Sequence, residues 1–297
     1  MINHAIDRLI QRQRWLDPLA DALQRVTTAV YRGKLGRAAK TLLNGTWLGH
    51  PLHPVLTDIP LGAWTLAIIF DLVYIFSNHS AAARTGGEIV IAVGLVGALG
   101  SALTGYTDWG DTYDRERRVG LTHGLLNLAA TVLYLVSLLL RLGSPGLRLA
   151  IVVSLVGYLL LISAAYLGGE LVFNIGTGVN HHAFQVPPTE WVPALNLSQL
   201  TEGKAQKADV QGTPILLLRR GQSITAIGDT CSHAGGPLNE GAIEGNQVVC
   251  PWHASRFDLT TGAVHGGPAT ISQVRYDVRV QDGRVEVRRS DSTLQPT

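Results

Sequence analysis

Four apolar stretches, at about 59–76, 88–107, 120–140 and 147–168, follow one another in the chain with only short polar breaks between them. Each is close to the roughly 20 residues that an α-helix needs to cross a bilayer. One such stretch could be a buried helix of a soluble protein; four in succession describe a membrane bundle. Composition agrees. Of 297 residues, 46% are apolar and 15% charged, against about 25% charged in ordinary soluble domains, and mean hydropathy is +0.19. A net charge of +2 argues against nucleic acid as a partner, since such a domain should be clearly basic. Two cysteines and 33 glycines are too few for a disulfide scaffold or a collagen repeat.

Charge is unevenly placed. Residues 1–56 carry eight Lys and Arg and three Asp, with Ile2, Ile6, Leu9, Leu16, Leu19, Leu23, Val26 and Val30 recurring at helical spacing. Asp17-Pro18 reads as an N-cap followed by proline at the first helical position, so two short amphipathic helices on the membrane surface are expected. No apolar core or cleavage site of a signal peptide follows the basic start. With the N-terminus inside, the inner segments hold those eight basic residues plus Arg115, Arg117 and Arg118. The outer loops hold Arg84, Arg141 and Arg148. Eleven against three puts both termini in the cytoplasm, here of a bacterial inner membrane.

After the fourth stretch, about 174–189 is a linker rich in Gly, Asn, His and Pro, with a reach of at most ~50 Å if fully extended. From Glu190 the pattern becomes short β-branched runs: Ile215–Leu218, Ser223–Ile227, Gln247–Cys250, Val274–Val280 and Arg284–Arg288. Gly221-Gln222, Glu244-Gly245-Asn246 and Asp282-Gly283 read as the turns between them. The expected fold class is therefore an α-helical four-helix membrane bundle plus a C-terminal all-β domain. Its divisions are a basic segment at 1–56, the bundle at 57–173, the linker, and the β domain at 190–297.

Both cysteines of the chain lie in that β domain, in Cys231-Ser-His233 and, after sixteen intervening residues, Cys250-Pro-Trp-His253. Two soft thiolates and two imidazoles in close pairs suit a metal centre. Zinc is the plain reading, yet C-x-H is tighter than the usual C-x₂₋₄-C spacing of zinc sites. The wider sequence, Cys231-Ser-His-Ala-Gly-Gly-Pro-Leu-Asn-Glu-Gly241, Cys250-Pro-Trp-His-Ala-Ser-Arg-Phe-Asp258, Thr261-Gly262 and Gly267-Pro268-Ala269, resembles the Rieske iron–sulfur family over about 190–288.

The resemblance implies a [2Fe–2S] cluster with Cys231 and Cys250 on one iron and His233 and His253 on the other. Two neutral imidazoles raise the potential above that of an all-thiolate cluster. High-potential members of the family carry an extra disulfide between the cluster loops; Gly236 and Trp252 stand at those positions. Ser255 matches the family's serine donor to the cluster, whereas Phe257 replaces a tyrosine donor. Fewer donors stabilise the reduced cluster less, so a potential in the lower part of the roughly −150 to +300 mV Rieske range is expected. Pro268 belongs to the third loop beside the cluster. A ring-hydroxylating oxygenase is not expected: it needs a second iron bound by two histidines and a carboxylate, and only His265 follows His253.

Polar residues in a bundle are costly and are functional candidates by default. His50, His53 and Asp58 lie at the start of the first stretch. Thr104 and Asp108 end the second, His123 and Asn127 begin the third, and Glu170, His181 and His182 follow the fourth; Asp71 alone falls toward the other side. These residues admit three readings: interfacial side chains, a quinone pocket, or a b-type haem with His53 and His123 as the best pair. Gly49-His-Pro-Leu-His-Pro54 and Asp58-Ile-Pro-Leu-Gly-Ala-Trp64 resemble an uncharacterised family of bacterial four-helix membrane domains. Pro51 and Pro54 are expected to hold the chain extended until a helix starts near Leu56, and Gly94, Gly97, Gly100 and Gly105 to let the second helix approach its neighbours. The expected function is a membrane-anchored Rieske carrier passing single electrons between a soluble donor and a membrane acceptor. An accessory or redox-sensing subunit of a larger membrane complex, or a self-contained oxidoreductase with haem or quinone in its bundle, are the alternatives.

Overall fold

A computed structural model of the chain describes residues 2–143 and 147–291. These form two compact units: one from the chain up to Arg32 and Leu52–Thr177, the other from Gly33–Pro51 and the chain from Gly178 onward.

In the first unit, α1 (Ile2–Gln11) and α2 (Leu16–Val30) precede four long helices. In chain order, with α3 (Gly33–Asn44) belonging to the second unit, these are α4 (Leu52–Phe76), α5 (Ala81–Trp109), α6 (Asp114–Gly143) and α7 (Arg148–Glu170). A single π-helical turn, Leu171–Ile175, continues α7. All four long helices have the length and apolarity to cross a membrane, and their outward faces carry exposed Leu66, Ile69, Val96, Leu139 and Leu159. Small residues set how closely α4 and α5 approach. A Cβ on Gly94 would lie 2.1 Å from Trp64 Nε1, one on Gly97 2.5 Å from Ile59, and one on Gly105 2.6 Å from His53. Trp64, seated there, stacks on Tyr134 of α6 with centroids 4.1 Å apart. The helix α4 starts earlier than expected, at Leu52. Pro54 falls in its first turn, where the missing N–H would have no helical acceptor in any case.

The amphipathic helices depart from expectation. Ile10, Leu16 and Ala20 are buried not in lipid but against Trp109, Val119, Leu121 and Leu167 of the bundle. Nor does Asp17-Pro18 cap α2, which begins two residues earlier, at Leu16 after Trp15. Asp17 instead pairs with Arg118 at 2.6 Å, as Asp21 does with Arg117 (2.6 Å) and Asp7 with Arg115 (2.8 Å). The first turns of α6 thus hold both N-terminal helices.

Asp71 has a partner that hydropathy did not show. Arg141, counted above as a loop residue, is fully buried in α6. Its Nη1 and Nη2 donate to Asp71 Oδ1 and Oδ2 at 2.7 and 2.8 Å, its Nη2 also to Ser154 and its Nε to Ser137. Removing one partner of a buried pair strands a charge at a cost of about 3–5 kcal/mol, whereas replacing both by apolar groups is often neutral. Asp71→Leu is therefore expected to destabilise the detergent-solubilised protein strongly in size-exclusion-monitored thermal unfolding. Adding Arg141→Met should restore most of the loss.

The second unit is all-β apart from α3 and short 3₁₀ turns. Its strands are β1 (Val192–Asn196), β2 (Ala205–Val210), β3 (Thr213–Arg220), β4 (Ser223–Gly228), β5 (Ala242–Glu244), β6 (Gln247–Val249), β7 (Arg256–Asp258), β8 (Val264–Gly266), β9 (Arg275–Gln281) and β10 (Arg284–Arg289). They form a six-stranded sheet in the order β1-β10-β9-β4-β3-β2 and a four-stranded sheet β5-β6-β7-β8, paired antiparallel throughout. The run Ile215-Leu216-Leu217-Leu218 in β3 is apolar on both faces because both are covered. Leu216 and Leu218 pack with Val248, Phe257, Cys231 and Cys250 between the sheets, while Ile215 and Leu217 pack with Ala226, Tyr276, Val285 and Val287.

Two segments read as separate from this domain belong to it. From Gly178 the expected linker is laid on the β unit: His181 N donates to Ser232 O (3.3 Å), Thr213 Oγ1 to Val186 O (3.3 Å) and Arg289 N to Pro188 O (2.6 Å). Residues 33–51 likewise divide from the rest of the basic N-terminal segment. They reach the β unit through Asn44 Nδ2, which donates to Gly267 O at 3.2 Å, and Thr46 Oγ1, which donates to Ala269 O at 3.2 Å.

Candidate metal centre

Cys231 and Cys250 open two loops built to one plan. The N–H of Cys231 donates to Gly236 O (2.8 Å) and its carbonyl accepts from Gly235 N (2.9 Å); the N–H of Cys250 donates to Ser255 O (2.8 Å) and its carbonyl accepts from Ala254 N (3.0 Å). The fifth residue of each loop is left-handed, Gly235 at φ 79° and Ala254 at φ 58°. Ala254 bears the steric cost that glycine avoids. Within each loop the amides two and three residues on, His233 and Ala234 in one and Trp252 and His253 in the other, are turned toward the cysteine sulfur. Such donors favour thiolate.

The sulfurs lie close together in the core between the sheets, both cysteines buried. The hydrogen bond to Cys250, reinforced by burial, pushes the Cys231 thiol up, and the same bond brings Cys250 down to about 6. The imidazoles of His233 and His253 stand on the outer side of this pair with ring centroids 4.8 Å apart. Burial, then the neighbouring His253 and the positive charge of Lys40 on α3, hold His233 at about 3, in the neutral form a metal requires. Its Nδ1 is buried with no hydrogen-bond partner among the described residues. No three His, Cys, Asp or Glu side chains among those residues converge on one ion. Two thiolates beside two imidazoles suit a binuclear centre with two protein ligands per iron better than a four-ligand zinc site.

The third loop closes the site. Ser232 Oγ donates to Ile271 O at 2.6 Å, and Ala269 N donates to Ser255 Oγ at 3.1 Å. Gly267 is left-handed at φ 85°, and a Cβ there would sit 2.5 Å from Ser255 Cα.

Comparison with known proteins agrees with this geometry. Residues 190–280 match the model of the Rieske [2Fe-2S] domain. The anthranilate 1,2-dioxygenase ferredoxin subunit of Burkholderia cepacia is 36% identical over 98 residues, which are 33% of this chain and 91% of that protein. The chain belongs to the Rieske [2Fe–2S] family. A second relative, the ferredoxin component of the naphthalene 1,2-dioxygenase system of Pseudomonas putida, is 31% identical over 98 residues, 33% of this chain and 94% of its own. Among solved structures, the ferredoxin of carbazole 1,9a-dioxygenase from Nocardioides aromaticivorans IC177 is 33% identical, covering 34% of this chain and 98% of its own with a TM-score of 0.32. Residues 49–181 match a family described as predicted membrane protein (DUF2231). This Rieske protein is thus joined to a membrane domain, and a [2Fe–2S] cluster is its family's cofactor.

The structure brings together Cys231, His233, Cys250, His253, Gly236 and Ser255. Phe257 is fully buried in the same core and Trp252 is exposed over the second loop. Pro268 is buried in the third loop, and His265 is exposed on β8. Sequence reading missed α3 and its Lys40, Asn44 and Thr46, whose only signal was a basic run that also suits a membrane surface. His182, grouped above with the polar residues after the fourth stretch, is instead buried on the β unit with its Nε2 against the carbonyl of Thr230.

The bundle residues separate into groups. His53 and His123 face each other, ring centroids 6.2 Å apart and planes at 87°, with Asn127 Nδ2 3.1 Å from His123 Nε2. His50 is not with them: it is exposed and turns its Nδ1 to Pro51 O at 3.1 Å. Asp58 is exposed on α4, and Asp108 is half-buried a turn nearer the end of α5 than Thr104.

Gly236 gives the sharpest steric test of the Rieske loops. A Cβ there would lie 2.9 Å from Cys250 Sγ and 3.1 Å from the Trp252 ring. Gly236→Ala is expected to weaken cluster retention roughly tenfold or more, the range seen when groups supporting metal ligands are disturbed, as iron and acid-labile sulfide per chain.

Proposed function

We propose that this protein is a membrane-anchored Rieske electron carrier in which Cys231 and Cys250 hold one iron of the cluster and His233 and His253 the other. The observation that carries the reading is the pair of matched loops, each presenting one cysteine to the core and one histidine outward. When bound, the cluster supplies a one-electron couple. The protein residues keep the thiolates dry, aim four amides at the two sulfurs and hold His233 neutral, with His233 and His253 toward the rim where a partner docks. The relatives' names as ferredoxin components support a carrier rather than an oxygenase. Ser255, having accepted the Ala269 amide, retains its hydroxyl proton for donation to the cluster. Phe257, buried in the core, has none to give, which supports a potential in the lower part of the Rieske range.

The anchor is the four-helix bundle. With Arg141 set aside as buried against Asp71, eleven basic residues on one side against two on the other, Arg84 and Arg148, support a cytoplasmic N-terminus and Rieske domain at an inner membrane. There the head draws electrons from a soluble donor and serves a membrane acceptor, a quinone or a haem.

Electron paramagnetic resonance on dithionite-reduced protein tests the ligand assignment. The expected result is a Rieske signal lost in Cys250→Ser and converted or lost in His253→Cys. A full signal in either variant would overturn it. Ser255→Ala is expected to lower the potential in protein-film voltammetry by on the order of 50 mV, the equivalent of one hydrogen bond of about 1 kcal/mol for a one-electron couple.

A further inference from the structure

The bundle carries a second histidine pair that the Rieske centre does not use. His53, in the first turn of α4, and His123, in the third turn of α6, lie at the same end of the bundle, the end at which α5 and α7 finish. Each ring is fixed from a flanking helix. His53 Nδ1 lies 2.9 Å from the carbonyl of Ser101 on α5, and His123 Nδ1 lies 2.8 Å from that of Ala164 on α7. A carbonyl can only accept, so both Nδ1 atoms carry the proton and both Nε2 atoms present a lone pair. This is the arrangement in which metal-ligating histidines are held, the far nitrogen hydrogen-bonded to a carbonyl and the near one presenting its lone pair, which at His123 accepts from Asn127 Nδ2 at 3.1 Å. Asn127 Nδ2 confirms the tautomer of His123 by approaching its Nε2. It also reaches the carbonyl of His123 at 3.1 Å and can keep that bond if the nitrogen is taken by a metal.

The spacing selects the ligand. With metal–imidazole bonds of about 2 Å, two imidazoles trans on one metal have their centres roughly 6 Å apart. The observed separation is 6.2 Å. Axial rings turn freely about the metal–nitrogen axis, so perpendicular planes are compatible with it. Two histidines alone make a poor closed site for a bare ion, since a structural zinc takes four ligands. A metal that brings four equatorial donors of its own needs only these two. Glycine stands beside each ring on the flanking helices: Gly105, where a Cβ would strike His53 at 2.6 Å, and Gly168, where one would come within 3.2 Å of His123. We infer that His53 and His123 are the axial ligands of a b-type haem held between α4 and α6, the cofactor position that facing helices of a bundle supply. Its iron, cycling between ferric and ferrous by one electron, would be the membrane acceptor or donor of the proposed function. The inference deepens that reading but rests on a separate set of residues.

The full-length protein, expressed with added haem precursor and purified in detergent, tests it, followed by titration with hemin if it is isolated without haem. The expected result is stoichiometric haem by pyridine haemochromogen and a low-spin, six-coordinate spectrum. It should be lost to background in His53→Leu and His123→Leu while the Rieske resonance signal persists in both. Because either variant could fail to fold, His123→Met provides a second arm: methionine still ligates haem iron, so haem should be retained with a shifted spectrum. A protein that keeps its Rieske signal but shows no low-spin haem at saturating hemin overturns the inference and leaves the carrier reading intact. Unchanged haem in both leucine variants also overturns it. Haem without a Rieske signal would count against the carrier reading alone.

Discussion

Closure of each cluster loop by a reciprocal pair of backbone hydrogen bonds is the constraint on which the Rieske site depends. A thiolate in an apolar core is costly to charge, and an imidazole beside it gains nothing from being buried. The loops resolve this by spending backbone amides on the sulfurs. Because Cys231 and Cys250 each bond across their own loop, four amides are already oriented before any metal arrives. The third loop then locks the first two together through Ser232 and Ser255. The fold around them is arranged for the same end: β3 is covered on both faces so that one of its faces can meet the cysteines.

Much of this was legible from sequence because it is local. The C-x-H and C-x-x-H pairs, the glycines of the loops and the serine that follows are close in the chain, and their chemistry is specific. The four spans were legible because a bilayer demands about 20 apolar residues whatever surrounds them. The strands β1, β2, β5, β7 and β8 were not. β5, β7 and β8 have only three residues each, too short for alternation to show; β1 contains Pro193, and β2 (Ala-Gln-Lys-Ala-Asp-Val) is mostly polar and small with no regular alternation.

What was illegible everywhere was long-range pairing. The basic N-terminal stretch reads as a membrane-surface segment because its charges have no visible partners, yet Asp7, Asp17 and Asp21 meet arginines about a hundred residues away, and Asn44 and Thr46 meet carbonyls more than two hundred residues on. Histidines in a linker look solvent-facing until one is seen buried against Thr230. Hydrophobic periodicity tells which face of a helix is covered; it does not tell by what.

The polar residues of the bundle show how such pairings divide into structure and chemistry. Asp71 and Arg141 spend each other completely. The guanidinium's fork meets both carboxylate oxygens, and its other donors are taken by Ser137 and Ser154. Such a network ties α4, α6 and α7 together at the end of the bundle where α4 and α6 finish. His53 and His123 are treated in the opposite way. Each is desolvated and each is pinned by one nitrogen to a carbonyl on a neighbouring helix, while the other nitrogen is turned to a lone pair. A bundle that needed only packing there could use leucine at less cost. Two imidazoles fixed in matching tautomers with their centres 6.2 Å apart supply two of the six ligands that the inferred haem iron would need, and a haem brings the other four itself.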